Sequence, residues 1–192
     1  MRAIKINEIE YQNPLLVFAL EMEAQEEFSD FNTLYTGVGK INATYNLTKA
    51  IHRHQPDVVI NLGTAGSTAY NKGAVVCCNQ FIQRDMEVTA MGFQKFETPF
   101  STDEIILEYG IQVDHLPKGI CGSGDQFEME HLNPEYNVIE MEAFALAKVC
   151  KEEQTPFLCL KYISDGADGN AVEDWREEVK KAAKALRENI LQ

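Results

Sequence analysis

Short apolar runs alternate with segments of helical period along almost the whole chain. The runs are too short for helices and suit buried strands, whereas the segments between them repeat apolar residues every three or four positions. Strands are therefore predicted at 15–20, 33–37, 57–62, 74–82 and 157–164. Helices are predicted at 21–28, 41–54, 102–109, 141–153 and 172–191, the third of them inside an irregular stretch from 83 to about 118.

Alternating strands and helices are typical of a mostly parallel sheet covered by helices. No linker, repeat or low-complexity segment divides the chain, so the pattern predicts one α/β domain over residues 1–192 with a central mixed, mostly parallel sheet flanked by helices. The closing helix shows the clearest apolar face, formed by Val172, Trp175, Val179, Ala183, Leu186 and Ile190.

Polar or glycine-rich turns stand where four strand-like runs end, at 21–23, 63–67, 122–128 and 164–165. In such sheets, ligands bind outside the carboxyl ends of the strands, so these turns are predicted to form the ligand site. None of the glycine-rich segments has the spacing of a phosphate loop or a dinucleotide fingerprint, and we expect no cofactor.

The net charge of −13 would repel a phosphate backbone, so nucleic acid is not expected as a partner. Five cysteines without a CxxC pair are expected to be free core residues in a reducing compartment. The four histidines lack metal-ligand spacing with any cysteine, so no metal is predicted. No leader-like segment or membrane-length apolar run occurs, and we expect a cytoplasmic protein without a membrane partner.

Three carboxylates remain as candidates for chemistry. Glu23 and Glu142 stand at predicted helix starts, and Asp165 directly follows the last strand. Each position alone is explained by the preference of acids for helix N-termini and turns. Their combination is more informative, because LLVFALEMEA, VVINLGTAGS, GICGSGDQF, VIEMEAFALAKVC and KYISDGADG follow one another in order.

These segments resemble the nucleoside phosphorylase/nucleosidase family, and in particular its 5′-methylthioadenosine/S-adenosylhomocysteine nucleosidase branch. The resemblance implies hydrolysis of a purine N-glycosidic bond. It assigns Glu23 to the hydrolytic water, Glu142 to the ribose hydroxyls and Asp165 to purine N7. It also implies a substrate-binding set in which Phe127 stacks on the base, the Glu128 backbone reads the base edge and Met141 packs on the sugar, completed by Thr64, Ala65, Gly66, Lys161 and Ser164.

The chemistry of glycoside cleavage suits this set, since one acid protonates the leaving base while another carboxylate deprotonates water. Phosphorolysis is disfavoured because the loop after the first strand carries four glutamates and no cation, although Arg84 and Lys161 remain as alternative phosphate ligands. A futalosine-type or other purine nucleosidase and a non-catalytic nucleoside-binding protein are the other hypotheses.

The sequence departs from the family pattern at two points. Only twelve residues separate Glu23 from Thr36, where the family usually has room for a β-hairpin, and Lys161 stands where many members carry arginine. The resemblance further implies a homodimer. The segment 89–99, with Met91, Phe93, Phe96 and nearby Phe100, is the candidate interface loop, with core packing as the alternative explanation of its apolar residues.

Overall fold

The computed structural model describes residues 2–128, 133–168 and 170–191. An antiparallel hairpin, β1 (Ile4–Ile6) and β2 (Ile9–Tyr11), stands apart from the main sheet. The main sheet contains β3 (Pro14–Phe18), β4 (Asn32–Tyr35), β5 (Val58–Gly66), β6 (Val75–Gln83), β7 (Leu107–Glu108), β8 (Lys118–Ser123), β9 (Val138–Glu140) and β10 (Phe157–Asp165). The helices are α1 (Glu21–Ala24), α2 (Lys40–His54), α3 (Ala143–Glu152) and α4 (Ala171–Ile190), with a short 3₁₀ turn at Thr89–Met91.

The long strand β5 lies at the centre of the sheet. It runs parallel to β3 on one side and to β10 on the other, and β3 in turn runs parallel to β4. Beyond β10 the sheet continues through antiparallel β6 and then parallel β8 and β9. It curls back until Gly66 of β5 pairs with Ile139 of β9. The predicted mixed, mostly parallel sheet flanked by helices is confirmed, and it is partly closed.

Alternation along the buried strands explains why helices cover both faces. In β3, Leu15 and Val17 join the core under α2 and α3, whereas Leu16 and Phe18 join the core under α4. Side chains of a strand point alternately to its two faces, so an all-apolar strand requires cover on both sides. The predicted apolar face of α4 supplies one cover, with Leu186 fully buried.

The structure differs from the predicted elements at several points, and β5 continues to Gly66 through most of the turn predicted at 63–67. The helix predicted at 102–109 is wrong, because Leu107–Glu108 forms a short edge strand paired with β6. The helix predicted at 21–28 ends at Ala24, since Gln25 has a φ of 51° that no helix continues. The helix predicted at 141–153 starts two residues later, because β9 ends at Glu140 and the chain bends at Met141 and the N-cap residue Glu142 before α3 begins.

The sequence analysis missed the β1–β2 hairpin and recognised β8 only as a short strand-like run before residue 122, for identifiable reasons. The β1–β2 hairpin has only three residues per strand, too few for a periodic signal. Strand β8 contains Gly119, at which a Cβ atom would approach Val76 Cγ1 to 2.7 Å and Val138 Cγ2 to 2.8 Å. Only a glycine lets β8 lie this close to its neighbours, and that requirement arises from packing with residues distant in sequence.

The five cysteines are buried and free, as predicted. Among the described residues, no helix has both the length and the apolar character needed to cross a membrane. The connection from α1 to β4 is short and packed, with Phe28 against Phe18 at 5.1 Å between ring centroids. Arg187 of α4 fixes its outer side through an ion pair with Asp30.

Candidate active site

A cavity of about 260 Å³ opens where the ends of β3, β5, β9 and β10 converge. Each of the four turns predicted to form the ligand site contributes to its wall. The predicted site residues that line it are Glu23, Thr64, Ala65, Gly66, Phe127, Glu128, Met141, Glu142, Ser164 and Asp165. Lys161 is the exception. It lies behind the wall, with its ammonium 3.2 Å from Glu140.

Glu23 is held by donors on both carboxylate oxygens. Its Oε1 accepts hydrogen bonds from the Thr64 backbone N–H at 3.1 Å and the Thr64 hydroxyl at 3.0 Å. Its Oε2 accepts a hydrogen bond from the Leu20 N–H at 3.0 Å. This bond satisfies one of the backbone N–H groups at the start of α1 that have no acceptor within the helix. The carboxylate therefore joins the end of β3 to the end of β5 while facing the cavity.

Glu140, at the end of β9, accepts bonds from three directions. Its Oε2 receives the N–H groups of Glu142 at 2.9 Å and Ala143 at 2.7 Å, and the Lys161 ammonium. Its Oε1 receives the hydroxyl of Ser123. Burial opposes ionisation, but the charge of Lys161 and these hydrogen bonds hold the pKa of Glu140 below its usual value. Sequence reasoning missed this residue, although it directly precedes Met141-Glu142 at a strand end.

Glu142 is the N-cap residue of α3 and accepts the N–H of Gly39 at 2.8 Å. Gly39 has a φ of 91°, so a glycine is needed to point that N–H at the carboxyl group. Burial, reinforced by the negative charge of Glu140, raises the pKa of Glu142 to about 8. The raised pKa favours the protonated form of Glu142 near neutral pH.

Asp165 ends β10, with 4% of its surface exposed. Its Oδ1 accepts the Ala167 N–H at 2.9 Å and its Oδ2 accepts the Ser164 hydroxyl at 2.8 Å. Burial raises its pKa, against the opposing effect of these two hydrogen bonds. A Cβ atom at Gly66 would lie 2.6 Å from Oδ1, so the glycine of β5 makes the room that Asp165 occupies.

The outer wall is more open. Phe127 is 45% exposed, which leaves one face of an aromatic ring free for a flat ligand. Glu128 forms an ion pair with the nearly buried Arg84 at 3.1 Å, and Arg84 also donates to the Gln126 carbonyl. Arg84 and Trp175 line the cavity too. The helical period placed Trp175 on the buried face of α4, but nothing in the sequence indicated that this face reaches the cavity.

This arrangement can perform acid–base chemistry. Five carboxyl groups line the cavity, those of Glu23, Glu128, Glu140, Glu142 and Asp165. The pKa values of Glu142 and Asp165 are raised, whereas that of Glu140 is lowered. Carboxyl groups whose environments drive their pKa values apart are the usual sign of separate acid and base roles. Among the residues that the structure describes, no group of three or more histidine, cysteine, aspartate or glutamate side chains is arranged to hold a metal ion.

The raised pKa of Glu142 predicts how stability depends on pH. An acid whose pKa is higher in the folded than in the unfolded chain stabilises the fold at low pH, and this stability is lost as pH rises towards about 8. Glu142→Gln keeps an acceptor for Gly39 but never ionises. We expect the melting temperature of Glu142→Gln minus that of wild type to increase by about 3 °C or more between pH 5 and pH 8. For a chain of this length, that shift corresponds to roughly 1 kcal/mol of unfolding free energy.

Thermal unfolding monitored by circular dichroism at several pH values measures this difference. Glu188→Gln, an exposed acid on α4, serves as the control and should follow the wild-type curve. A difference between Glu142→Gln and wild type that stays constant between pH 5 and pH 8 would contradict a buried, protonated Glu142.

Comparisons with known proteins agree with this geometry. The family model of the phosphorylase superfamily matches residues 32–192. A 5′-methylthioadenosine/S-adenosylhomocysteine nucleosidase of Geobacillus thermodenitrificans is 31% identical over 179 residues, which cover 82% of this chain and 76% of that protein. The protein of the same name from Anoxybacillus flavithermus is 30% identical over 171 residues, covering 78% of this chain and 74% of that protein.

Solved structures share the fold. A 5′-methylthioadenosine/S-adenosylhomocysteine nucleosidase of Helicobacter pylori, bound to butyl-thio-DADMe-Immucillin-A, superimposes with a TM-score of 0.84 at 21% identity, covering 92% of this chain and 95% of that one. The futalosine hydrolase of the same organism also gives 0.84, at 20% identity, covering 92% and 94%. With the family model matching most of its length and relatives at 30% identity or more, this chain belongs to the phosphorylase superfamily, among the 5′-methylthioadenosine/S-adenosylhomocysteine nucleosidases.

Proposed function

We propose that this protein hydrolyses the N-glycosidic bond of 5′-methylthioadenosine, S-adenosylhomocysteine or a related purine nucleoside and releases adenine. The observation that carries the proposal is the convergence of Glu23, Glu142 and Asp165 on one cavity. Each is buried, each is held by backbone N–H donors, and each comes from a different strand end. The names of the relatives support the choice of substrate.

Asp165 is proposed as the acid that protonates the purine. Its raised pKa, caused by burial, favours a carboxyl group that keeps a proton until the glycosidic bond breaks. Proton transfer to N7 lets the base leave as a neutral molecule and not as an anion. Phe127, with its exposed ring, is proposed to stack on the base.

Glu23 is proposed as the base that takes a proton from the attacking water. Its two oxygens are fixed by Thr64 and Leu20, so its orientation toward the cavity is defined before substrate binds. Glu142 is proposed to accept the ribose hydroxyls, with Met141 against the sugar. In the transition state, the negative charge of Glu23 stabilises the oxocarbenium-like sugar in a site shielded from water.

Charge around the cavity supports water rather than phosphate as the nucleophile. The two cations that might bind phosphate are both paired, Lys161 with Glu140 behind the wall and Arg84 with Glu128. Phosphorolysis requires a site for a dianion, which normally combines free arginine or lysine donors with open backbone N–H groups. The carboxylate of Glu23 occupies the backbone N–H groups of Leu20 and Thr64.

We also propose a homodimer with 89–99 at the interface. Met91 is 66% and Phe100 88% exposed, and Phe93 packs edge-on against Phe100 at 5.3 Å between centroids. Burial of these side chains against a second copy would remove a large apolar surface from water. Phe96 differs from the other three, since it is 3% exposed and belongs to the core.

Light scattering at micromolar concentration tests the homodimer. Wild type should give the mass of two chains, and Phe100→Ser should shift the protein toward monomer because it removes an exposed ring from the interface. Ile9→Ser, a change of an exposed apolar residue on the β1–β2 hairpin, is the control and should leave the mass unchanged. A monomeric wild-type protein would refute the dimer.

The remaining expectations complete the proposal. The five free, buried thiols support a reducing compartment, and we propose a cytoplasmic location. The assignment of residues 1–192 to a single functional domain stays a prediction of the sequence.

Adenine release in phosphate-free buffer is the direct test of the activity. Wild type should release adenine from 5′-methylthioadenosine, and added phosphate should not accelerate the reaction. Glu23→Gln should lower kcat by about 10²–10⁴-fold, because an amide cannot take the proton of water. Glu10→Gln, an exposed acid on the hairpin, should match wild type. Absence of adenine, or release that depends on phosphate, would refute hydrolysis. Release of hypoxanthine from inosine at a higher rate would favour a 6-oxopurine nucleosidase instead.

Asp165→Asn tests the proposed acid with two leaving groups. The amide preserves the size and one hydrogen bond but has no transferable proton. We expect kcat for adenine release to fall by about 10²–10⁴-fold, whereas cleavage of a p-nitrophenyl riboside, whose leaving group needs no proton, should fall far less. Asp168→Asn, three residues later and exposed, is the matched control. Equal losses on both substrates would show that Asp165 maintains the shape of the site and is not the acid.

A further inference from the structure

Trp175 is the one tryptophan of the chain and lies near the start of α4. Its ring lines the cavity, and its indole Nε1–H donates a hydrogen bond to the hydroxyl oxygen of Thr64 at 2.9 Å. The contact spans 111 positions of sequence and joins the last helix to the end of β5. The same hydroxyl lies 3.0 Å from Oε1 of Glu23.

The direction of these two hydrogen bonds follows from the donors available. An indole N–H can only donate, so the Thr64 oxygen must be the acceptor in its contact with Trp175. Glu23, as a carboxylate, can only accept, so the single hydroxyl proton of Thr64 points to Oε1. The Thr64 hydroxyl is thus held between one donor, the indole N–H of Trp175, and one acceptor, Oε1 of Glu23.

These hydrogen bonds limit the number of acceptor sites that the Glu23 carboxylate can offer to the cavity. An ionised carboxylate offers about four acceptor sites. Three donors occupy Glu23, namely the N–H and hydroxyl of Thr64 on Oε1 and the N–H of Leu20 on Oε2. About one acceptor site is left for a molecule in the cavity. If the Thr64 hydroxyl could rotate away from Glu23, a second acceptor site on the carboxylate would become free. A water molecule in the cavity would then have two competing positions.

We propose that Trp175 is a positioning residue for Glu23. Its indole N–H directs the Thr64 hydroxyl so that the carboxylate presents a single acceptor site to the attacking water. This inference rests on the proposed function, in which Glu23 takes the proton of that water. Trp175 acts through Thr64, and the effect is separate from any packing of the indole ring against the substrate.

Replacement of the N–H alone is the sharpest test. Because the chain has one tryptophan, expression in a tryptophan auxotroph supplied with benzothienylalanine changes only position 175. Sulfur then replaces the N–H while the two fused rings remain. We expect kcat for adenine release to fall about fivefold to tenfold, as for the loss of one hydrogen bond, with KM unchanged within about twofold. Full activity of this protein would overturn the proposal.

A second genetic background separates positioning from packing. In Thr64→Val, the hydroxyl is already absent, so benzothienylalanine at 175 should cause no further loss of kcat. A loss as large as in wild type would show that the indole acts directly on substrate or fold. Tyr162→Phe is the matched control, because it removes a hydrogen bond between β10 and Glu178 of α4 outside the cavity, and it should leave kcat unchanged.

A measurement independent of activity completes the design. The single indole N–H gives one side-chain signal in ¹⁵N-labelled protein. Thr64→Val should move this signal upfield and accelerate its exchange with water, since its acceptor is gone. If the chemical shift and the exchange rate of the indole N–H are the same in Thr64→Val as in wild type, the inferred contact is overturned. If the wild-type protein releases no adenine, the proposed function fails, and an indole signal that still moves in Thr64→Val shows that the Trp175–Thr64 contact is nevertheless present.

Discussion

The arrangement of the site depends on the buried ion pair between Lys161 and Glu140. Lys161 and Glu140 are each about 3% exposed in their side chains, and charges removed from water so completely must be paired. Glu140 uses the pair to join β8 through Ser123, β10 through Lys161 and the first N–H groups of α3. Burial raises the pKa of Glu142, and the neighbouring charge of Glu140 raises it further, whereas Lys161, which is paired with Glu140, lowers it only in part.

That division of charge gives neighbouring acids different tendencies to hold a proton. Glu140 is ionised and structural, and its hydrogen bonds place the start of α3 at the cavity wall. Glu142 and Asp165 can hold protons near neutral pH because burial disfavours their charged forms. Glu23 is instead surrounded by donors from Thr64 and Leu20, the environment of an acceptor. Carboxyl groups that favour holding a proton and a carboxyl group that accepts several hydrogen bonds thus line one small cavity.

Sequence reasoning succeeded where local pattern decides structure and failed where packing does. The turns at strand ends identified Glu23 and Asp165 as cavity residues because parallel strands deliver their carboxyl ends to one edge. Position along a helix could not show that Trp175 reaches Thr64, a contact across most of the chain. Lys161 matched a family position for substrate contact, yet its side chain turns behind the wall toward Glu140, a pairing that no local spacing reveals.

The closure of the sheet has a further consequence for access to the cavity. Within the described part of the chain, β5 and β9 share a single strand pair, Gly66 with Ile139, and both residues line the cavity. Beside this pair the Ser67 hydroxyl donates a hydrogen bond to the Asn137 carbonyl at 2.6 Å. Every other seam beside the site is a ladder of several pairs. Proteins open locally where the fewest backbone bonds must break. Local opening of the sheet should therefore begin at this pair. Hydrogen exchange of the backbone amides of Gly66 and Ile139 should then report opening of the cavity under conditions in which the rest of the fold is intact.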